Sequence, residues 1–226
     1  MNSSWSSWKN EITAVFQKEW KSESRSLSGI TTTALLCLVS VVIANNITWT
    51  TTINPMIGAG IYWMILVFSA SVSLTRTFLQ EEENRTSDFW RLMARPEAVY
   101  WGKSLFNILQ MVVATTLMSV AFVILVKVHI EDPVVFITTA LGGAISIAST
   151  VTLAGAISAT ANNRYTLAAA ISVPILIVLV NIGITGTATA FGEGLKDGQR
   201  AGFVMIAYAI AACSIGPMVY SKIWKG

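Results

Sequence analysis

Six stretches of this chain are long, apolar and almost free of charge, and they limit its fold more than any other feature: Ile30–Trp49, Ile57–Thr75, Leu105–Val128, Pro133–Thr160, Tyr165–Gly186 and Ala201–Tyr220. A helix needs ~20 mostly apolar residues to cross ~30 Å of hydrocarbon while satisfying its own backbone hydrogen bonds. The composition fits the same solvent. Of 226 residues 54% are hydrophobic and only 12% charged, against roughly 25% charged in a soluble domain. The expected fold is therefore an all-α integral membrane protein with six transmembrane helices. The fourth run is overlong for one straight crossing, and Gly142, Gly143 and Gly155 provide for a bend or a partly non-helical start; it is kept as a single span.

Ahead of the first run, Trp5, Trp8, Ile12, Val15 and Phe16 recur at helical spacing, with Lys9, Glu11, Lys18 and Glu19 on other positions. That pattern predicts an interfacial amphipathic helix within a cytoplasmic segment 1–29, its indoles at headgroup depth. A helix packed on another protein surface has the same pattern. The first apolar run lies too far behind charged residues for a cleavable signal sequence. Residues 30–226 then form one six-span domain, since no repeat or linker marks another.

Orientation follows from the basic residues, which concentrate in cytoplasmic loops. Twelve of the fifteen Lys and Arg flank alternate loops and both ends, from Lys9 through Arg76, Arg85, Arg91, Arg95, Lys103 and Arg164 to Lys225. Only Lys127, Lys196 and Arg200 fall on the other side. Both termini and the second and fourth loops are thus expected in the cytoplasm. The net charge of +3 reflects this asymmetry and not a nucleic-acid partner.

Catalytic or ligand-binding groups are sparse. Cys37 and Cys213 sit inside apolar runs without CxxC or CxxCH spacing, so neither a disulfide framework nor a covalent haem is indicated. His129, the single histidine, lies in the loop KVHIEDP, where a solvated role outweighs metal or haem ligation because a site needs convergent ligands. The centres of the spans lack Asp, Glu, Lys and Arg, which argues against an ion-coupled transporter. Asn107, Gln110 and Asn181 are read as helix–helix hydrogen-bonding residues, and the small residues from Gly142 to Ala170 as close-packing positions, with Pro174 and Pro217 permitting kinks. No set of polar groups for an intramembrane enzyme gathers at one depth, so the chain is expected to be non-catalytic.

The loop at 76–103 is the most informative segment. It holds Glu81, Glu82, Glu83, Asp88 and Glu97. Thr86-Ser87-Asp88 can cap a short helix carrying Phe89, Trp90, Arg91 and Arg95 that stops at Pro96. Such a helix suits docking of a cytoplasmic partner, with Phe89 and Trp90 as anchors and Glu81, Glu82, Asp88, Arg91, Arg95 and Glu97 setting register. An ordinary charged juxtamembrane loop reads equally well from these residues. Gly102-Lys103-Ser104 resembles the end of a phosphate loop, but the glycine that motif requires at position 97 is Glu97. Any ATP-driven work would be powered by a separate subunit.

Phe78-Leu79-Gln80-Glu81, Pro96-Glu97-Ala98, Gly102-Lys103, Asn107, Ala161-Asn162-Asn163 and Ser172-Val173-Pro174 occur in this order relative to the spans. In that arrangement, over roughly residues 62–182, the chain resembles the B-type membrane subunit, or haem exporter permease, of the bacterial cytochrome c maturation ABC complex, the CcmB family. Many relatives carry an acidic-Gly sequence where this chain has Asn84-Arg85-Thr86-Ser87-Asp88. The resemblance implies an inner-membrane, ABC exporter-type subunit pairing with an ATPase subunit, a haem-handling membrane subunit and a small membrane peptide. It implies that the segment from Glu81 to Pro96 couples to the ATPase, that ATP is bound by that partner, and that haem is handled by the complex with no cofactor held directly here. A general exporter permease for a drug, lipid or polysaccharide is the nearest alternative, and a membrane scaffold uncoupled from ATP is another.

Overall fold

A computed structural model describes residues 2–26, 28–48, 53–73, 78, 94–159, 161–194 and 197–224. Its elements, among these residues, are helices: α1 (Asn2–Ser26), α2 (Ser28–Thr48), α3 (Pro55–Ser73), α4 (Pro96–Val126), α5 (Pro133–Ser158), α6 (Arg164–Ala188) and α7 (Gly198–Trp224). A π-helical turn, Thr189–Glu193, extends α6. Four helices are long and apolar enough to cross a bilayer: α4, α5, α6 with its π turn, and α7. Two shorter apolar helices, Thr31–Ile47 and Pro55–Ser71, lie within α2 and α3. The chain is an all-α, multi-pass membrane protein.

The helix starts follow from local chemistry. Pro96 and Pro133 stand in the first turns of α4 and α5, where a missing N–H costs nothing and a fixed φ helps. The expected loop end at 103 is corrected here, since its residues from Pro96 onward are helical. At α5, the Asp132 carboxylate accepts from the Val134 and Val135 N–H groups, both at 3.1 Å. Asp132→Ala should therefore lower stability by ~1 kcal/mol. A thermal melt in detergent will show the loss, with Asp132→Asn close to wild type.

Helix α5 is the centre of the bundle: 72% of its apolar stretch is buried, against 22–33% in the other three long helices. It pairs most extensively with α7. The contacts Gly142 to Gly202, Ser146 to Met205 and Thr150 to Tyr208 advance together along both helices, so the two run parallel. Ser146 Oγ donates to Met205 O at 2.7 Å. Thr150 Oγ1 spends its proton on Ser146 O, so the Tyr208 hydroxyl, 2.9 Å away, is the donor to Thr150. A Cβ on Gly142 would lie 3.0 Å from Gly202 O. Gly142 and Gly143, expected to bend this span, instead admit its neighbours, and α5 is one uninterrupted helix.

Gly143 of α5 and Gly183 of α6 form a slot for the indole of Trp63, which a Cβ on either glycine would strike. Trp63 Nε1 donates to Thr187 Oγ1 at 2.8 Å. Beside it Tyr62 meets Phe122 and Phe136 edge-on, at 5.5 and 5.6 Å between centroids. The Tyr62 hydroxyl lies 2.7 Å from Ser119 Oγ, which is itself donating to Thr115 O, so Tyr62 is the donor. Asn107 bridges helices as expected, its Nδ2 donating to Thr152 Oγ1 at 2.9 Å. Asn181 does not: it is exposed, and its Nδ2 donates to Ile177 O of its own helix.

At the end of the bundle remote from α1, Glu131 and Asp132 N–H groups donate to Ala190 O in the π turn. Gly192 there has φ 102° and lies against the Glu131 carboxylate. Leu38, Ile43, Phe68, Leu117, Ile124, Ile177 and Phe203 are exposed on the flanks, an apolar girdle too large for a water-facing surface and suited to lipid.

Candidate functional site

Of the residues singled out in the loop, Glu81, Glu82, Asp88, Phe89, Trp90 and Arg91 lie outside the described residues. Phe78 before that stretch and Ala94 and Arg95 after it are described, and they lie at the same end of the bundle. On the far flank, Arg95 precedes α4 in extended conformation. Its backbone N–H donates to Glu11 Oε2 of α1 at 3.3 Å, and its Nε lies 3.7 Å from Glu11 Oε1. The Arg95 side chain is half exposed, so the ion pair contributes at most ~1 kcal/mol, but with the backbone bond it fixes where the loop rejoins the bundle. Glu97, in the first turn of α4, is favourably placed against the helix dipole.

On the near flank, Phe78 is buried between α4 and α7. Its ring stands 5.3 Å from Tyr220 and 6.1 Å from Tyr100, and Trp224 meets Tyr220 at 5.3 Å. Ala156 and Ala159, at the end of α5, complete this cluster. Six segments thus share one knot: α1, the start and end of the loop, the start of α4, and the ends of α5 and α7.

Helix α1 is held to α4 by fit and by charge. Gly102 leaves room for Val15, whose side chain a Cβ there would strike. Phe16 meets Phe106 edge-on at 6.2 Å. The Lys103 side chain is fully buried, with its Nζ 3.7 Å from Glu19 Oε1 and 4.6 Å above the Phe78 ring. Lys18 donates to the same Glu19 oxygen at 2.9 Å. A buried ammonium needs such compensation because removing it from water is costly, and the ring face adds a favourable electrostatic contact.

The amphipathic pattern in α1 thus serves its own chain through Val15 and Phe16. Sequence reasoning missed the Lys103–Glu19 pair, having counted Lys103 as a loop cation. The Gly-Lys pair rejected as a phosphate loop acts here as a helix-docking point. His129 lies exposed in the loop between α4 and α5, and no group of three or more His, Cys, Asp or Glu suited to a metal occurs among the described residues.

The described residues form an all-α, multi-pass membrane bundle in which α1, Phe78, the start of α4 and the ends of α5 and α7 meet at one end. The chain belongs to the CcmB family, whose sequence model, described as CcmB protein, matches residues 10–222. No curated protein matches the sequence. As a member of that family it is a non-catalytic membrane permease subunit of cytochrome c maturation ABC transport.

Proposed function

We propose that this subunit converts ATP hydrolysis by a separate ABC-type ATPase into motion of its own bundle, through the loop that follows α3 and joins α4 at Pro96. Glu81, Glu82, Asp88, Phe89, Trp90 and Arg91 contact the ATPase, while Arg95, Pro96 and Glu97 pass the displacement into α4. The observation that supports this most is that residues on both sides of the loop pack at the same end of the bundle: Phe78 is buried with Val15, Tyr100 and Tyr220, and Arg95 pairs with Glu11 of α1. ATP and haem are bound by partner subunits, a haem-handling membrane protein and a small membrane peptide among them. The motion assists haem delivery, or release of a haem-loaded chaperone, on the outer side of the bacterial inner membrane.

Six crossings, made by α2 to α7, put both termini and the loop in the cytoplasm, in keeping with the twelve-to-three split of basic residues. Residues 1–29 then form a cytoplasmic segment and residues 30–226 the membrane domain. Family membership favours cytochrome maturation over a drug, lipid or polysaccharide exporter.

Purification of the tagged chain in mild detergent, beside a Phe89→Ala, Trp90→Ala variant, tests the coupling. Removing two aromatic anchors from an interface typically costs more than ~2 kcal/mol each, so ATPase recovery should fall at least tenfold while the haem-handling partner stays. Undiminished ATPase binding and turnover in the variant would favour an uncoupled scaffold.

A further inference from the structure

Asn181 stands where a membrane helix ordinarily meets lipid with apolar side chains. On α6 the buried positions Leu176, Leu179 and Gly183 face the bundle, whereas Ala170, Pro174, Val178 and Asn181 are exposed along the opposite side. Helix α6 with its π turn spans Arg164–Glu193, and Asn181 lies within ~4 Å of its midpoint at the rise of an α-helix. A side-chain amide therefore faces outward near the bilayer centre, where no water can solvate it.

Hydroxyls on other outward faces bond within their own helix. Thr116 donates to Val112 O and Ser214 to Ile210 O, both at 2.8 Å. An amide cannot be satisfied that way, since it carries two N–H donors and a carbonyl. One Asn181 N–H reaches Ile177 O at 2.8 Å, and the second N–H and Oδ1 are left at the surface. On the same face, Pro174 has no N–H to give the Ala170 carbonyl. Polar groups left unmatched in hydrocarbon favour contact with a second helix over contact with acyl chains.

We infer that two copies of this chain associate through the outward face of α6, about a two-fold axis normal to the membrane, with their Asn181 amides hydrogen-bonded to each other. Symmetry selects this occupant. A two-fold axis sets identical residues at identical depth, and a primary amide complements itself, each copy giving an N–H to the other's Oδ1. An unrelated helix would need a hydrogen-bonding side chain at the same depth. No Asp, Glu, Lys or Arg occurs between Arg164 and Glu193, so no charge within the span repels the second copy. The association needs neither the ATPase nor the coupling loop, so its test is independent of the proposed function.

The test is disulfide formation in membranes of cells that make this chain without its partners. Asn181→Cys, in a chain whose Cys37 and Cys213 are replaced by Ala, should give a linked dimer on mild oxidation. Phe203→Cys, on the exposed side of α7, should not. In the otherwise unaltered chain, Asn181→Leu should weaken self-association about tenfold, the usual worth of hydrogen bonds between membrane helices. Energy transfer between labelled copies diluted in lipid vesicles measures this, and Asn181→Gln should keep most of the association. Among the described residues Asn181 bonds only its own helix, so the thermal midpoint of Asn181→Leu in detergent should match wild type, which separates lost association from lost folding. No linked dimer at position 181, equal linkage at position 203, or undiminished self-association of Asn181→Leu would overturn the interface. The Asn181→Leu measurement decides the matter even if the cysteine-replaced chain fails to fold.

Discussion

Replacing Glu19 with Ala should destabilise the protein by ~3–5 kcal/mol, the usual effect of removing one partner from a buried ion pair. Lys103 would stay fully buried but lose the carboxylate 3.7 Å from its ammonium. The shorter contact, Lys18 to Glu19, involves a side chain that is 38% exposed, so its own share of the loss is small. Because the two groups are 3.7 Å apart in a buried site, Glu19→Ala and Lys103→Met should be non-additive, a coupling that a double-mutant cycle measures directly. The measurement is the thermal midpoint in detergent for wild type, both single variants and the double variant. If Glu19→Ala alone melts like wild type, α1 is not anchored by this pair.

A loss of similar size should follow from Trp63→Ala, for a different reason. Lipid tails are as apolar as the bundle interior, so helices in a membrane associate through close packing more than through the hydrophobic effect. The Trp63 ring fills the slot made by Gly143 and Gly183 and anchors it with the hydrogen bond to Thr187. Truncation leaves a ring-sized void and an unpaired Thr187, with an expected cost of ~3–5 kcal/mol. The converse change, Gly143→Val, forces a side chain into a ring that Gly183 holds from behind, so little folded protein should survive extraction. Size-exclusion profiles in detergent read both outcomes. A monodisperse Gly143→Val protein with wild-type stability would show that the slot is not tightly filled.

The helices were legible in the sequence because their signal is local: run length and the absence of charge place most helix ends within a few residues, although α4 begins at Pro96, well ahead of the expected Leu105. What stayed hidden depends on groups that meet from distant parts of the chain. Lys103 beside an apolar run reads as an orientation signal, and nothing near it in sequence announces that Glu19 and Phe78 close over it. Gly142 and Gly143 were legible as special positions, but an isolated run of residues cannot show whether a glycine bends its own helix or admits a neighbour. Here Gly202 and Trp63 supply the answer. Asn181 reads like Asn107 by type, and only the fold separates the one bonded to its own helix from the one that bridges two. Of the site, Arg95, Pro96 and Glu97 fall at the start of α4 as a rigid extension of the bundle, whereas the acidic and aromatic residues from Glu81 to Arg91 lie outside the described residues.

The most direct test of coupling through this loop is site-specific photocrosslinking in cells that make the whole maturation system, with the reactive group placed at Trp90 or at His129. Attachment of the ATPase subunit at position 90 and not at position 129 is the predicted result, since the two positions would face opposite sides of the membrane. Attachment at position 129, or at neither position in an intact complex, would contradict the account.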